Sequence, residues 1–266
     1  LYVAEGGAYD GKIVERNAAG EEVRPLDISI TKNVLGLFIN SAVLLVIMMS
    51  CVRWYKKHPL EDGAPKGGVG MIEATVLSIY NDVIKGCIGE NYRRYAPYLL
   101  TAFFFVLVNN LMGLIPIFPG GANVTGNIAI TLVLALCTFV LTNVYGTKAY
   151  WKEIFWPDVP TWLKAPIPMM PLIEFFGIFT KPFALMIRLF ANIMAGHAAV
   201  LSLVAIIFIT VKSGPVINGS MTVVSVAFSI FMDALEILVA FIQAYVFTML
   251  SAVFIGLSQV KEHAEK

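Results

Sequence analysis

The segment from Tyr95 to Thr147 contains no Asp, Glu, Lys or Arg over 53 residues. A helix that rises about 1.5 Å per residue needs roughly 20 residues to cross a hydrocarbon core of about 30 Å, so this run is too long for one crossing. Two prolines and two glycines between residues 116 and 121 interrupt it and favour a tight loop. The run therefore predicts two membrane-spanning helices, at about 96–117 and about 125–146.

Composition agrees with a membrane protein. Hydrophobic residues make up 58% of the 266-residue chain and charged residues only 14%. Residues 33–52 form another uncharged run of sufficient length and predict the first span. The net charge is +1 and the basic residues are scattered, which argues against a nucleic-acid partner.

The last hundred residues contain two apolar helical runs, about 171–212 and about 221–260. Each would be about 60 Å long as a straight helix, twice the core thickness, so we expect strongly tilted or bent helices that form a hairpin. Between the first two spans, residues 71–88 have the apolar spacing of an amphipathic surface helix. The predicted fold is thus an all-α integral membrane protein, with a polar tail (1–32) and a single membrane domain (33–266).

The distribution of Lys and Arg predicts the orientation. Residues 53–97 hold seven basic residues, residues 147–170 hold three and the C-terminal tail holds two, whereas the loops on the opposite side hold only Lys212. The N-terminal tail has four basic residues but also six acidic ones. We therefore expect the C terminus in the cytoplasm, or in the matrix of an organelle, and the N-terminal tail outside the cytoplasm.

Arg188 lies inside the first of the two long apolar runs, and the next 23 residues contain no Asp, Glu, Lys or Arg. A guanidinium stays protonated at physiological pH, and a permanent cation at membrane depth is costly and usually functional. The alternative is an arginine that snorkels to the headgroups, which fits poorly because apolar residues flank it on both sides. Glu174 and Lys181 precede it at seven-residue spacing and Asn192 follows, so all four share one helix face. Alternatively, Glu174 and Lys181 pair near the headgroups and Arg188 aligns with them by chance.

Other polar residues of the two long runs complete the candidate site. His197 lies on roughly the opposite face from Arg188, and an imidazole can pass a proton at physiological pH, although a lone His is more often a hydrogen-bonded core residue. The second run contains Asp233, Glu236 and Gln243, of which the last two share a face. We expect His197 to pair with Glu236 and Gln243 to reach toward Arg188, an arrangement typical of an electrostatic gate between two hydrated paths.

The sequence resembles subunit a of the rotary F-type ATP synthase over residues 33–260. The resemblance rests on Arg188-Leu-Phe-Ala-Asn-Ile-Met-Ala-Gly196, on Gln243-Ala-Tyr-Val-Phe247 and on Asn110-Leu-Met-Gly-Leu-Ile-Pro116. It implies that Arg188 is the essential gate arginine facing the ring of c subunits, with Gln243 and Asn192 close to it. It also implies proton-path positions, namely Glu174, Lys181, Asn192, His197 and Glu236, and we expect Asp233, the other acidic residue of the second long run, to belong to the same path. Gly113 stands where some bacterial members have an Asp, so no such role is implied there.

The resemblance further implies partners and a non-catalytic role. The expected partners are the c ring, the peripheral-stalk b subunits, the rest of the synthase and membrane lipid. No nucleotide-binding motif is present, so we expect no phosphoryl chemistry in this chain, and we expect neither a cofactor nor a metal. Because the chain begins at Leu1 rather than Met, we expect a removed leading segment, which favours a bacterial inner membrane over a mitochondrial one.

Two other functions are compatible with a polytopic membrane protein. A stand-alone ion-coupled transporter would contain inverted repeats around a midplane site, and no convincing repeat relates the two halves of the sequence. A scaffold that only anchors partners would leave the polar face of Arg188 without a purpose.

Overall fold

The computed structural model describes residues 2–3, 13–16, 22–23, 31–58, 65, 67–115, 124–155 and 169–259. Within these ranges the chain is mainly helical, which confirms the predicted all-α membrane fold. The α-helices are α1 (Lys32–Lys57), α2 (Gly68–Ser78), α3 (Gly86–Ile88), α4 (Tyr92–Leu114), α5 (Ile128–Val144), α6 (Lys148–Phe155), α7 (Met169–Thr210) and α8 (Pro215–Ser258).

The N-terminal tail contributes three short strands, β1 (Tyr2–Val3), β2 (Ile13–Arg16) and β3 (Glu22–Val23). They pair antiparallel in the order β1-β2-β3, with Tyr2 opposite Val14 and Arg16 opposite Glu22. The hydropathy pattern predicted only a polar tail here, because strands of two to four residues carry too little alternation to be recognised.

The three predicted short spans correspond to α1, α4 and α5. Among the described residues, four helical stretches are long and apolar enough to cross a membrane, namely α1, the stretch Gly68–Leu114 that ends with α4, α7 from Pro171 onward, and α8. A fifth is counted if α5 and α6 form one span with a 98° bend between them. The predicted surface helix is α2, which continues as a π-helix (Ile79–Lys85) and α3 toward α4. The predicted loop at 116–121 and the end of the tail beyond 259 lie outside the described residues.

The two long helices are α7, with 42 residues, and α8, with 44. Helix α7 continues without interruption through Pro182. Helix α8 begins at Pro215, six residues before the predicted apolar run, because proline suits the first helical turn and Gly214 makes the preceding turn at φ 105°. The two helices pack against each other, while α4 packs on α8 and α5 packs on α7.

The core lies where α4, α7 and α8 meet. Its fully buried side chains include Leu99 and Phe103 of α4, Leu189 of α7, and Phe247 and Ile255 of α8. Helix α1 joins through a polar contact, since Nδ2 of buried Asn40 donates to Oδ1 of buried Asn109 on α4 at 2.8 Å. This packing fixes the middle sections of α7 and α8, which hold the predicted site residues.

Candidate functional site

Arg188 lies near the middle of α7, and its side chain is exposed on the protein surface. The neighbouring Leu185 and Leu189 are buried in the core and set the rotation of the helix, which turns Arg188 outward. No described carboxylate forms an ion pair with its guanidinium. The cation is therefore available to a group that approaches from outside the chain.

One cleft, of about 300 Å³ including its open mouth, lies between the C-terminal end of α4 and the middle sections of α7 and α8. We call it the His197 cleft. Its polar lining comes from Asn110, Asn192, His197, Glu236 and Gln243. Four of the predicted site residues thus line one open space, and Asn110 of α4 joins them.

The predicted neighbours His197 and Glu236 face each other across this cleft. Nδ1 of His197 lies 3.9 Å from Oε1 of Glu236, which is ion-pair distance but longer than a direct hydrogen bond. The His197 side chain is 36% exposed and that of Glu236 only 12%. The carboxylate also lies against the backbone of Gly196, where a Cβ would come within 2.6 Å of Oε1. Glycine at position 196 therefore provides the space that the Glu236 carboxylate occupies.

Asn192 and Gln243 connect the two long helices next to the cleft. Nδ2 of Asn192 donates to Oε1 of Gln243 at 3.4 Å, and Gln243 is buried. The partner of Gln243 is therefore Asn192, which lies one helical turn beyond Arg188 on the helix face that the sequence predicted for both α7 residues. Asp233 lies on the exposed surface of α8, outside the cleft lining.

A second cleft, of about 260 Å³ including its mouth, lies between α5, α6, α7 and the C-terminal part of α8. We call it the Lys181 cleft. Its polar lining comes from Thr138, Thr142, Asn143, Tyr150 and Lys181. The Lys181 ammonium lies 5.8 Å from the centroid of the Phe254 ring.

Glu174 and Lys181 do not form the ion pair that was the alternative explanation of their spacing, since the structure gives Lys181 an aromatic neighbour instead. Glu174 is half-buried two helical turns before Lys181 on α7, close enough to the Tyr150 phenol for an electrostatic interaction. Lys181 therefore lines the Lys181 cleft, whereas Glu174 lies near Tyr150 of its wall.

The two clefts flank Arg188 along α7. The Lys181 cleft reaches Leu185 on one side, and the His197 cleft begins at Asn192 on the other, so each ends about one helical turn from the arginine. The Lys181 cleft lies at the C-terminal ends of α5 and α8. This is the side of the membrane on which the distribution of Lys and Arg places the basic segment 147–170. An exposed cation thus lies between two clefts whose mainly apolar linings include several polar side chains.

Sequence reasoning missed several polar contacts between helices. Asn110 was recognised only as part of a motif, yet its Nδ2 donates to the Ala240 carbonyl at 3.3 Å, while its buried Oδ1 has no described hydrogen-bond partner. Thr138 of α5 contacts the Tyr98 hydroxyl of α4 at 2.8 Å and the Ser251 hydroxyl of α8 at 3.3 Å. The signal that could have identified them is a polar residue on the otherwise apolar face of a predicted span.

Comparisons with known proteins agree with this architecture. The family described as ATP synthase A chain matches residues 35–256. A protein of Chlorobium phaeobacteroides named ATP synthase subunit a is 47% identical over 96% of this chain and 75% of its own length. Proteins of the same name from Chloroherpeton thalassium and Myxococcus xanthus are 45% and 39% identical, over 91% and 90% of this chain and 70% and 75% of theirs. The chain is a multi-pass membrane protein that belongs to the ATP synthase subunit a family.

Proposed function

We propose that this chain is the stator channel subunit of an F-type ATP synthase, which couples proton translocation to rotation of a c ring. The observation that carries the proposal is the position of Arg188, on one continuous helix, between two clefts that include polar side chains. Membership in the subunit a family supports the same role.

The outward position of Arg188 suits a gate that acts on a partner. A guanidinium favours the ionised form of any carboxylic acid beside it, so a protonated carboxyl group of the passing ring would release its proton there. Because the arginine keeps its own proton, it also opposes the direct passage of a free proton from one cleft to the other. Asn192 and Gln243, bonded to each other one turn away, would hold the two long helices in register beside this contact.

Each cleft would provide one aqueous half-channel. In the His197 cleft, the imidazole and the Glu236 carboxylate are 3.9 Å apart and are suited to exchange protons through water. On the other side, Lys181 lines the Lys181 cleft and Glu174 lies near Tyr150 of its wall. Asp233 is exposed on α8, where it would place a negative charge near Glu236 without forming part of the cleft wall.

We expect partner subunits to supply the other parts of the coupling mechanism. We expect the c ring against the exposed faces of α7 and α8, with peripheral-stalk b subunits holding the chain against rotation. A proton that moves through about 100 mV yields roughly 2.3 kcal/mol, so several must be pooled for each ATP. Phosphoryl chemistry would take place elsewhere in the complex, and an energy-coupling bacterial inner membrane is the location that we propose.

The test is replacement of Arg188 by Ala in the complete synthase, followed by measurement of proton-driven ATP synthesis in inverted membrane vesicles. We expect coupled synthesis to be lost while the complex still assembles. The matched control is Lys212→Ala, which removes an exposed cation from the turn between α7 and α8, away from both clefts. Near-normal synthesis by Arg188→Ala would refute the proposed function.

A further inference from the structure

Asn143 of α5 lines the Lys181 cleft and is not among the residues that the sequence predicted for the site. Its side-chain nitrogen donates to the Phe139 carbonyl at 2.8 Å. This bond defines the amide orientation, because the reverse orientation would place two acceptor oxygens against each other. The side-chain oxygen is thus the atom left for another partner.

That oxygen is buried and has no hydrogen-bond partner among the described residues. A buried acceptor without a partner is unfavourable, and native proteins usually satisfy such groups with protein or with ordered water. The lining of the cleft is mainly apolar, but it includes three further residues with polar groups, namely Thr142, Tyr150 and Lys181. A water molecule needs two to four polar partners of this kind, and the cleft provides both donors and acceptors.

The cleft would hold such water close to Arg188 along α7. Lys181 lies two helical turns from Arg188 on α7, and Leu185 at the inner end of the cleft lies three residues from it. Asn143 stands on the facing helix, α5, which packs on α7. Water held by Asn143 would therefore lie in a cleft that ends about one helical turn from the arginine.

We propose that Asn143 binds water in the Lys181 cleft and is a positioning residue for the proton path on that side of Arg188. The inference rests on the proposed function and deepens it by assigning a residue of α5 to this half-channel. It makes Asn143 an uncharged member of the path, which orders water by accepting a hydrogen bond and does not itself titrate.

The first experiment measures water access at this position in the assembled synthase. Asn143→Cys is introduced after Cys51, Cys87 and Cys137 are replaced by Ser, and inverted vesicles are treated with a water-soluble reagent that attacks only ionised thiols. We expect modification of residue 143 and a fall in proton flux of about tenfold, equivalent to a barrier increase of about 1.4 kcal/mol. The matched control is Val140→Cys, one turn earlier on α5 and 49% exposed on the outer surface, where lipid should keep the thiol protonated and unreactive.

A second pair of variants separates water binding from packing. Asn143→Ser keeps a hydrogen-bonding group in the cleft, and we expect it to retain most of the proton flux. Asn143→Leu has nearly the same size without a polar atom, and we expect it to lose about as much flux as the modified cysteine. Equal and normal flux in the Ser and Leu variants would overturn the inference, as would an unreactive thiol at position 143.

Arg188→Ala distinguishes the failure of this inference from failure of the proposed function. If Arg188→Ala abolishes coupled synthesis while the Asn143 variants show normal proton flux, the proposed role of Arg188 is supported and only the role of Asn143 is wrong. If Arg188→Ala synthesises ATP normally, the proposed function itself is wrong.

Discussion

The backbone of Gly196 lies against the carboxylate of Glu236, so that a Cβ at position 196 would be 2.6 Å from Oε1 and 2.9 Å from Cδ. The contact joins α7 to α8 in the wall of the His197 cleft. It shows that the place of the carboxylate depends on a neighbour without a side chain. Any residue larger than glycine must displace Glu236 or separate the two helices.

Gly196→Ala should therefore lower proton flux without removing any titratable group. The added methyl group displaces the Glu236 carboxylate from its position 3.9 Å from His197, and we expect a decrease of about tenfold, equivalent to roughly 1.4 kcal/mol. The measurement is passive proton conduction through the membrane sector in vesicles. The matched control is Gly177→Ala on the same helix, where a Cβ would meet nothing within 4 Å and flux should be unchanged. Equal fluxes in the two variants would argue against a role for this contact.

Exchange of the residue types at positions 197 and 236 tests the pair itself. His197→Glu and Glu236→His each leave two like groups facing each other, whereas the double variant restores one imidazole and one carboxylate. We expect the double variant to conduct more protons than either single variant, because the two groups can again share a proton through water. Flux in the double variant no higher than in the worse single variant would exclude the pairing.

The sequence could predict the residues of this pair but not their surroundings. Helical spacing placed Glu174, Lys181, Arg188 and Asn192 on one face, because a face is a property of a single helix. The space that Gly196 provides depends on how closely α7 approaches α8. That distance results from packing of the whole core and leaves no local pattern.

The same reason explains the missed polar contacts. Asn143 and Thr138 lie on an apolar predicted span, where single Asn and Thr residues are common and often bond only to their own helix. Only the packing of α5 against α7 and α8 shows that one lines a cleft and the other bonds to Ser251. The structure also corrected the start of α8, since Gly214 and Pro215 begin the helix before the apolar run does.

The bond between Asn192 and Gln243 should show coupling in a double-mutant cycle. Its length of 3.4 Å indicates a modest interaction, and interhelical hydrogen bonds in membranes average about 0.6 kcal/mol. We expect Asn192→Leu and Gln243→Leu each to lower the thermal stability of the assembled complex, and the double variant to lose less than the sum of both. Strictly additive losses would mean that the two amides do not interact.

The buried amide pair between α1 and α4 should stabilise the fold rather than the gate. Asn40 donates to Asn109, and both side chains are almost fully buried. Asn109→Leu removes the acceptor and leaves the Asn40 amide unpaired, at an expected cost of about 1–3 kcal/mol. The double variant Asn40→Leu with Asn109→Leu should recover part of this loss, measured as the thermal midpoint of the purified complex, with proton flux per assembled complex unchanged. A double variant less stable than Asn109→Leu would contradict this explanation.

The C-terminal part of α8 depends on another close approach, where Gly256 lies directly against the carbonyl of Cys87 in α3. An alanine there would collide with backbone, which cannot rotate away as a side chain can, so we expect Gly256→Ala to destabilise the complex by about 1–3 kcal/mol. The control is Gly86→Ala, one residue before Cys87, where the backbone is helical and a Cβ would meet nothing within 4 Å. Because alanine favours the helix more than glycine does, this control should be neutral or more stable by up to about 1 kcal/mol. The measurement is the thermal unfolding midpoint of each variant in detergent. Equal midpoints for Gly256→Ala and Gly86→Ala would show that α8 can shift away from α3 at little cost in stability.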